Sequence, residues 1–99
     1  MIEFVEGILA EKSPSTAVID VGGVGFGCII SLSTYDELSA AGAPQRLWTH
    51  LQFRDEQPLL FGFASLAERW LFRNLITVSG VGPKLAITIL SGARAGDIQ

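Results

Sequence analysis

The spacing of apolar residues changes along the chain, from the two-residue period of strands to the longer period of helices. Residues 2–10 are rich in apolar side chains, and Gly7 among them marks a bulge or a sharp bend. A Ser13-Pro14-Ser15 turn leads into a β-branched segment at 16–21, and Gly22-Gly23 suits the positive φ angles of a tight hairpin before a returning strand at 24–31. Ser33 and Thr34 stand at capping-box spacing from Asp36 and Glu37, with Leu38 and Ala41 behind them and Gly42 as a stop, which predicts a short helix. The clearest strand follows, where Leu47, Thr49, Leu51 and Phe53 alternate with Arg46, Trp48, His50 and Gln52. Residues 54–57 form a polar turn, and 58–63 return as the last strand.

Three strands, a helix and two strands follow the element order of an OB-fold, a small five-stranded barrel. From Ser65 the period lengthens. Ser65 and Glu68 form a second capping box, and Leu71, Phe72, Leu75 and Ile76 make an apolar stripe opposite Arg69, Arg73 and Thr77. The stripe stops at Ser79-Gly80-Val81-Gly82, and Pro83 restarts a helix with Leu85, Ala86, Ile89 and Leu90 on one face and Gly92 as its C-cap. Residues 95–99 resemble the start of a further helix. The expected organisation is β barrel plus α: an OB-fold domain at 1–63, then the first part of a truncated helix-hairpin-helix domain at 64–99.

Composition sharpens this picture. Ninety-nine residues bury one modest core and part of a second, and 48% hydrophobic content is high for so short a chain, which points to contacts with other subunits. No apolar run approaches the roughly 18 residues of a membrane span, and Glu3 and Glu6 stand where a signal peptide needs basic residues. A cytoplasmic protein without membrane association is expected. A lone cysteine, Cys28, with a single histidine, His50, provides neither a disulfide nor a metal site. The net charge of −3 opposes binding to a polyanion. The acids concentrate before residue 65, however, while Arg69, Arg73, Lys84 and Arg94 face only Glu68 and Asp97 after it.

The candidate chemistry centres on the hairpin. Gly80 and Gly82 permit a tight turn, so that amides near Val81 to Lys84 can face outward as an anion site, and Lys84 adds a cation within reach of a phosphate oxygen. A plain helix-helix turn is the structural alternative. Asp55 and Glu56 occupy the tip of the last strand pair, as ordinary solvated turn residues or as carboxylates that repel phosphates and wedge strands apart. The glycines at 22, 23, 25 and 27 do not form a phosphate loop, because they lead into a strand rather than a helix. A Cys28–His50 dyad lacks an orienting group, and Trp48 and Trp70 fit packing or subunit contacts better than base stacking. No catalytic residue, metal, cofactor or small-molecule substrate is expected. The leading reading is a non-catalytic DNA-binding protein, and its rival is a purely structural oligomerisation module.

Five segments, VIDVGGVGF at 18–26, TYDEL at 34–38, THLQFRDE at 49–56, LLFGF at 59–63 and NLITVSGVGPKLAITILSG at 74–92, make the chain similar to the N-terminal part of the RuvA family. The resemblance implies a four-fold homotetramer that holds four-way (Holliday) junction DNA open for branch migration in recombination and repair. It implies RuvB as the partner that supplies the ATP-driven motor. By position, Asp55 and Glu56 correspond to an acidic pin at the junction centre, and Gly80, Val81, Gly82 and Lys84 to phosphate contacts of the first hairpin. The family chain is about twice as long, so the second hairpin and the part that meets RuvB are expected beyond these residues. Relatives often carry basic residues before the first glycine, where Phe4, Val5 and Glu6 stand here.

Overall fold

The computed structural model describes residues 1–92. Five strands close into a barrel: β1 (Phe4–Lys12), β2 (Thr16–Val21), β3 (Val24–Ile29), β4 (Pro44–Arg54) and β5 (Gln57–Phe63). Around the barrel the order is β1-β2-β3-β5-β4, with β3 and β5 parallel and the other neighbours antiparallel. One helix, α1 (Leu32–Glu37), lies between β3 and β4, and two more, α2 (Leu66–Leu75) and α3 (Pro83–Gly92), follow the barrel. This is the five-stranded OB-fold barrel with a helical part that the sequence predicts. The expected helix at 95–99 lies outside the described residues.

Closure depends on β1, which pairs with β4 through Phe4 to Ile8 and with β2 from Ile8 onward. Ile8 is thus the residue where the strand changes partners. The sequence leaves a bulge or a bend open at Gly7; the register shift lies instead between Leu9 and Glu11. Gly7 serves a close approach, since a Cβ there would stand 2.2 Å from the Asp20 carbonyl oxygen. The β2–β3 turn follows expectation: Gly22 and Gly23 have φ of 62° and 95°, and Asp20 Oδ1 accepts a 2.7 Å bond from the Gly23 amide.

Helix α1 is shorter than its pattern suggests. It starts after Ser31, whose hydroxyl accepts from the Thr34 amide at 3.1 Å, so Ser31 rather than Ser33 or Thr34 is the N-cap. It ends at Glu37 because Leu38 turns extended (φ −69°, ψ 148°) and packs against the barrel core; Ala41 and Gly42 lie outside the helix.

Two cores result. Val5, Leu9, Ala17, Ile19, Cys28, Ile30 and Leu47 fill the barrel, whereas Phe61 and Phe63 of β5 meet Phe72 of α2 and Ala86 and Leu90 of α3. The inward set on α3 is therefore Pro83, Ala86 and Leu90, with Leu85 and Ile89 exposed rather than sharing the buried face. Polar groups key the helices to the barrel. Glu68 does not close a box on Ser65; Ser65 caps α2 alone by accepting from the Glu68 amide. The Glu68 carboxylate instead accepts from the hydroxyls of Ser31, at 2.5 Å, and Thr34, both fully buried. At the far end, Ser33 Oγ donates to the Leu90 carbonyl and Ser91 Oγ accepts from the Leu32 amide, both at 3.0 Å.

Candidate nucleic-acid interface

The alternation along β4 buries Leu47 and Thr49 but not Phe53, which is 62% exposed. The reason is geometric. The ends of β4 and β5 run beyond the barrel, so residues 53–58 are all exposed and the hairpin tip projects into solvent. Arg54 pairs with Gln57, which leaves Asp55 and Glu56 as a two-residue turn. Their φ angles are 51° and 66°, and these are the positive-φ non-glycine residues of the described chain. Such turns favour Asn-Gly because a Cβ in the left-handed region costs on the order of 1 kcal/mol per residue. Two acids held in that conformation are a strained feature of the kind that clusters at functional sites. Glu56→Gly is accordingly expected to raise the unfolding free energy by about 1 kcal/mol in urea titrations, relief of strain outweighing the flexibility that glycine adds to the unfolded chain. A loss of stability would show that the turn is relaxed as it stands.

The second predicted feature lies between α2 and α3. Gly80 adopts φ 87°, a conformation open to glycine and costly for other residues. The Val81 amide donates to the Val78 carbonyl at 3.0 Å, so Val81 closes the turn rather than offering its N–H outward. The Gly82 carbonyl accepts the first helical bond, from Ala86 at 3.0 Å, and Pro83 has no N–H. Among the described residues, the amides of Gly82, Lys84 and Leu85 meet no backbone or side-chain acceptor. They are the donors at this helix start, with the Lys84 side chain exposed beside them.

The two features meet. Arg54, Asp55, Gln57 and Leu59 from the β4–β5 hairpin and Lys84 from α3 line one open cleft of about 390 Å³. A Cβ on Gly82 would stand 3.3 Å from Arg54 Nη1, so the guanidinium rests against the hairpin glycine. Nothing in the sequence brings Arg54, Gln57 or Leu59 to the hairpin, and the one signal for them is adjacency to the acidic pair.

Two of the cations after residue 65, Arg69 and Arg73, are committed internally. Arg69 Nη1 donates to the carbonyls of Glu3 and Thr49 at 3.0 and 3.2 Å and to the Glu3 carboxylate at 3.2 Å. Arg73 Nε donates to His50 Nδ1 at 3.2 Å. Both arginines key α2 onto the barrel instead of facing a polyanion, and before the first glycine Glu6 pairs with Arg46 at 2.6 Å.

The Cys28–His50 pair is not assembled, because β5 lies between β3 and β4. Burial pushes the Cys28 thiol up to about 12, which leaves no thiolate near neutral pH. Burial also lowers the His50 pKa, with the charges of Arg73 and Arg69 adding to it, against a bond to Gln52 that raises it. Among the described residues there is no cluster of metal-ligating side chains and no helix long and apolar enough to cross a membrane.

A closed OB-type barrel followed by helices is the fold expected from the resemblance, and comparison with known proteins agrees with the family. Residues 1–62 match the family described as the RuvA N terminal domain. The chain belongs to the RuvA family. A RuvA subunit of the Holliday junction branch migration complex from Alkalilimnicola ehrlichii is 50% identical over 99 residues, covering all of this chain and 48% of the relative. The RuvA of Methylococcus capsulatus is 48% identical over 99 residues (49% of its length), and that of Methylibium petroleiphilum 46% over 98 residues (51% of its length). The chain thus spans about half the length of the RuvA relatives it matches.

Proposed function

We propose that this chain is the junction-holding part of a RuvA-type protein: a non-catalytic, structure-selective binder of four-way DNA. In this reading residues 1–63 form the barrel domain and 64–99 the first part of a helix-hairpin-helix domain. The amides of Gly82, Lys84 and Leu85 and the Lys84 ammonium hold backbone phosphates, while Gly80 and Val81 shape the turn. Asp55 and Glu56 stand at the crossover, where their charges keep phosphates apart and favour separated strands. Four copies around a four-fold axis multiply one weak clamp, RuvB supplies the ATP-driven motor, and the complex works in the cytoplasm. The observation that carries this reading is the placement of a strained acidic turn and a glycine hairpin on one cleft, in a chain of the RuvA family.

Fluorescence anisotropy at low salt tests it with a labelled four-way junction and a linear duplex of equal length. The junction is expected to bind more tightly, and equal affinities would overturn junction selectivity. The double variant Asp55→Asn, Glu56→Gln is expected to bind the junction within about threefold of the parent or more tightly, since two repulsive charges are removed. It should also reduce the signal of 2-aminopurine placed at the crossover, which reports strand separation. A large loss of affinity would contradict a repulsive role.

A second reading, an oligomerisation module without DNA contact, draws on exposed apolar side chains of α2: Trp70 at 64%, with Leu66 and Leu71 about half exposed. Association of copies without affinity for either DNA would favour it.

A further inference from the structure

We propose that Arg54 and Lys84 act as one clamp, closing from opposite walls of their cleft on a single backbone phosphate. The inference rests on the DNA-holding reading above and adds a residue and a geometry to it.

Its first support is the fate of the positive charges. Lys12 donates to the Ser39 carbonyl, Arg46 pairs with Glu6, Arg69 with Glu3, and Arg73 bonds His50. Among the described residues, Arg54 and Lys84 are the cations without a hydrogen bond or ion pair. They come from segments 30 positions apart in sequence, yet both line the same cleft. The second support is how Arg54 is held. Its guanidinium lies against Gly82, at the distance where a side chain at 82 would crowd it, so the second hairpin glycine is a seat for an arginine as well as a turn residue.

The chemistry fits a phosphodiester. Arginine offers a planar fork of donors and lysine a compact charge, and together they outweigh the Asp55 carboxylate on the same cleft. At about 390 Å³ the space would take on the order of ten waters, room for a phosphate group and its hydration. Asp55 then limits occupancy, because a second phosphate would face a carboxylate without a further cation.

A double-variant cycle on the 99-residue chain tests this, with Arg54→Ala, Lys84→Ala and the pair measured by anisotropy on the labelled junction over a range of salt. Each single change is expected to weaken binding by about three- to tenfold. If both hold one phosphate, the double variant should lose far less than the product of the single effects, and its salt slope should fall by about one unit in total. Multiplicative losses, with a slope reduced by about two units, would mean two separate phosphates and overturn the clamp. Unchanged binding of Arg54→Ala beside a weakened Lys84→Ala would remove Arg54 and leave the DNA-holding reading intact. Failure of the parent chain to bind, or no effect of either change, would remove that reading too. Both side chains are exposed, so thermal melts of the variants should match the parent and exclude unfolding as the cause.

Discussion

Phe72→Ala is expected to lower the unfolding free energy by about 3–5 kcal/mol, read from the midpoint of urea unfolding. Phe72 is fully buried at the junction of three elements. Its ring centroid lies 5.0 Å from both Phe61 and Phe63 on β5, and 5.3 Å from the His50 ring, which it meets edge-on. Ala86 and Leu90 of α3 complete the same cluster. Truncation removes the side chain common to the barrel wall and both helices, and β5 and α2 cannot close the gap without shifting against the hydrogen bonds of Glu68, Arg69 and Arg73. The neighbouring Leu71, about half exposed, supplies the contrast: Leu71→Ala should cost about 1 kcal/mol or less. Equal losses at the two positions would show that the helices do not dock through Phe72. If the docking is as described, the Phe72 variant should also weaken DNA binding while retaining strand signal in circular dichroism, because the barrel has a core of its own.

Much of this arrangement is legible in the residues, and what is not has identifiable causes. Period-2 alternation places β4, and Gly22-Gly23 fixes the β2–β3 hairpin, because both are local rules acting within a few residues. Ser65 is recognisable as a cap for the same reason. Glu68 is misread because its local partner, the Ser65 amide, loses to the buried hydroxyls of Ser31 and Thr34, more than thirty residues away in sequence. Arg69 and Arg73 count as surface charges in any linear inventory, and only closure of the barrel supplies the Thr49 carbonyl and the His50 ring that engage them. Phe53 fits the alternation and is nonetheless exposed, since the pattern does not say where the barrel ends. At the candidate site the acidic pair and the hairpin are each visible in the sequence, whereas their shared cleft, the strain at residues 55 and 56 and the seat of Arg54 on Gly82 belong to the tertiary structure.

The strand glycines separate two uses of the same residue and give the second large expectation. Gly7→Ala is expected to destabilise the chain by about 3 kcal/mol or more. A Cβ at residue 7 would stand 2.2 Å from the Asp20 carbonyl oxygen, 2.9 Å from its carbon and 3.2 Å from the Val21 Cα. All three are backbone atoms, so no side-chain rotation relieves the overlap. The strands must move apart, and they do so beside Ile8, where β1 passes from β4 to β2. Gly27 on β3 is the control: a Cβ there meets nothing within 4 Å, and its φ is not in the left-handed region. Gly27→Ala should therefore be neutral or stabilise by up to about 1 kcal/mol, because alanine restricts the unfolded chain and fits the native backbone. Thermal unfolding of the two variants side by side decides the matter. A mild effect at Gly7 would mean that β1 and β2 can separate there without cost, and that barrel closure does not depend on the missing side chain. A severe effect at Gly27 would mean instead that its face of β3 is covered, by another copy of the chain or by DNA, and melts at several protein concentrations, with and without junction, distinguish those two causes.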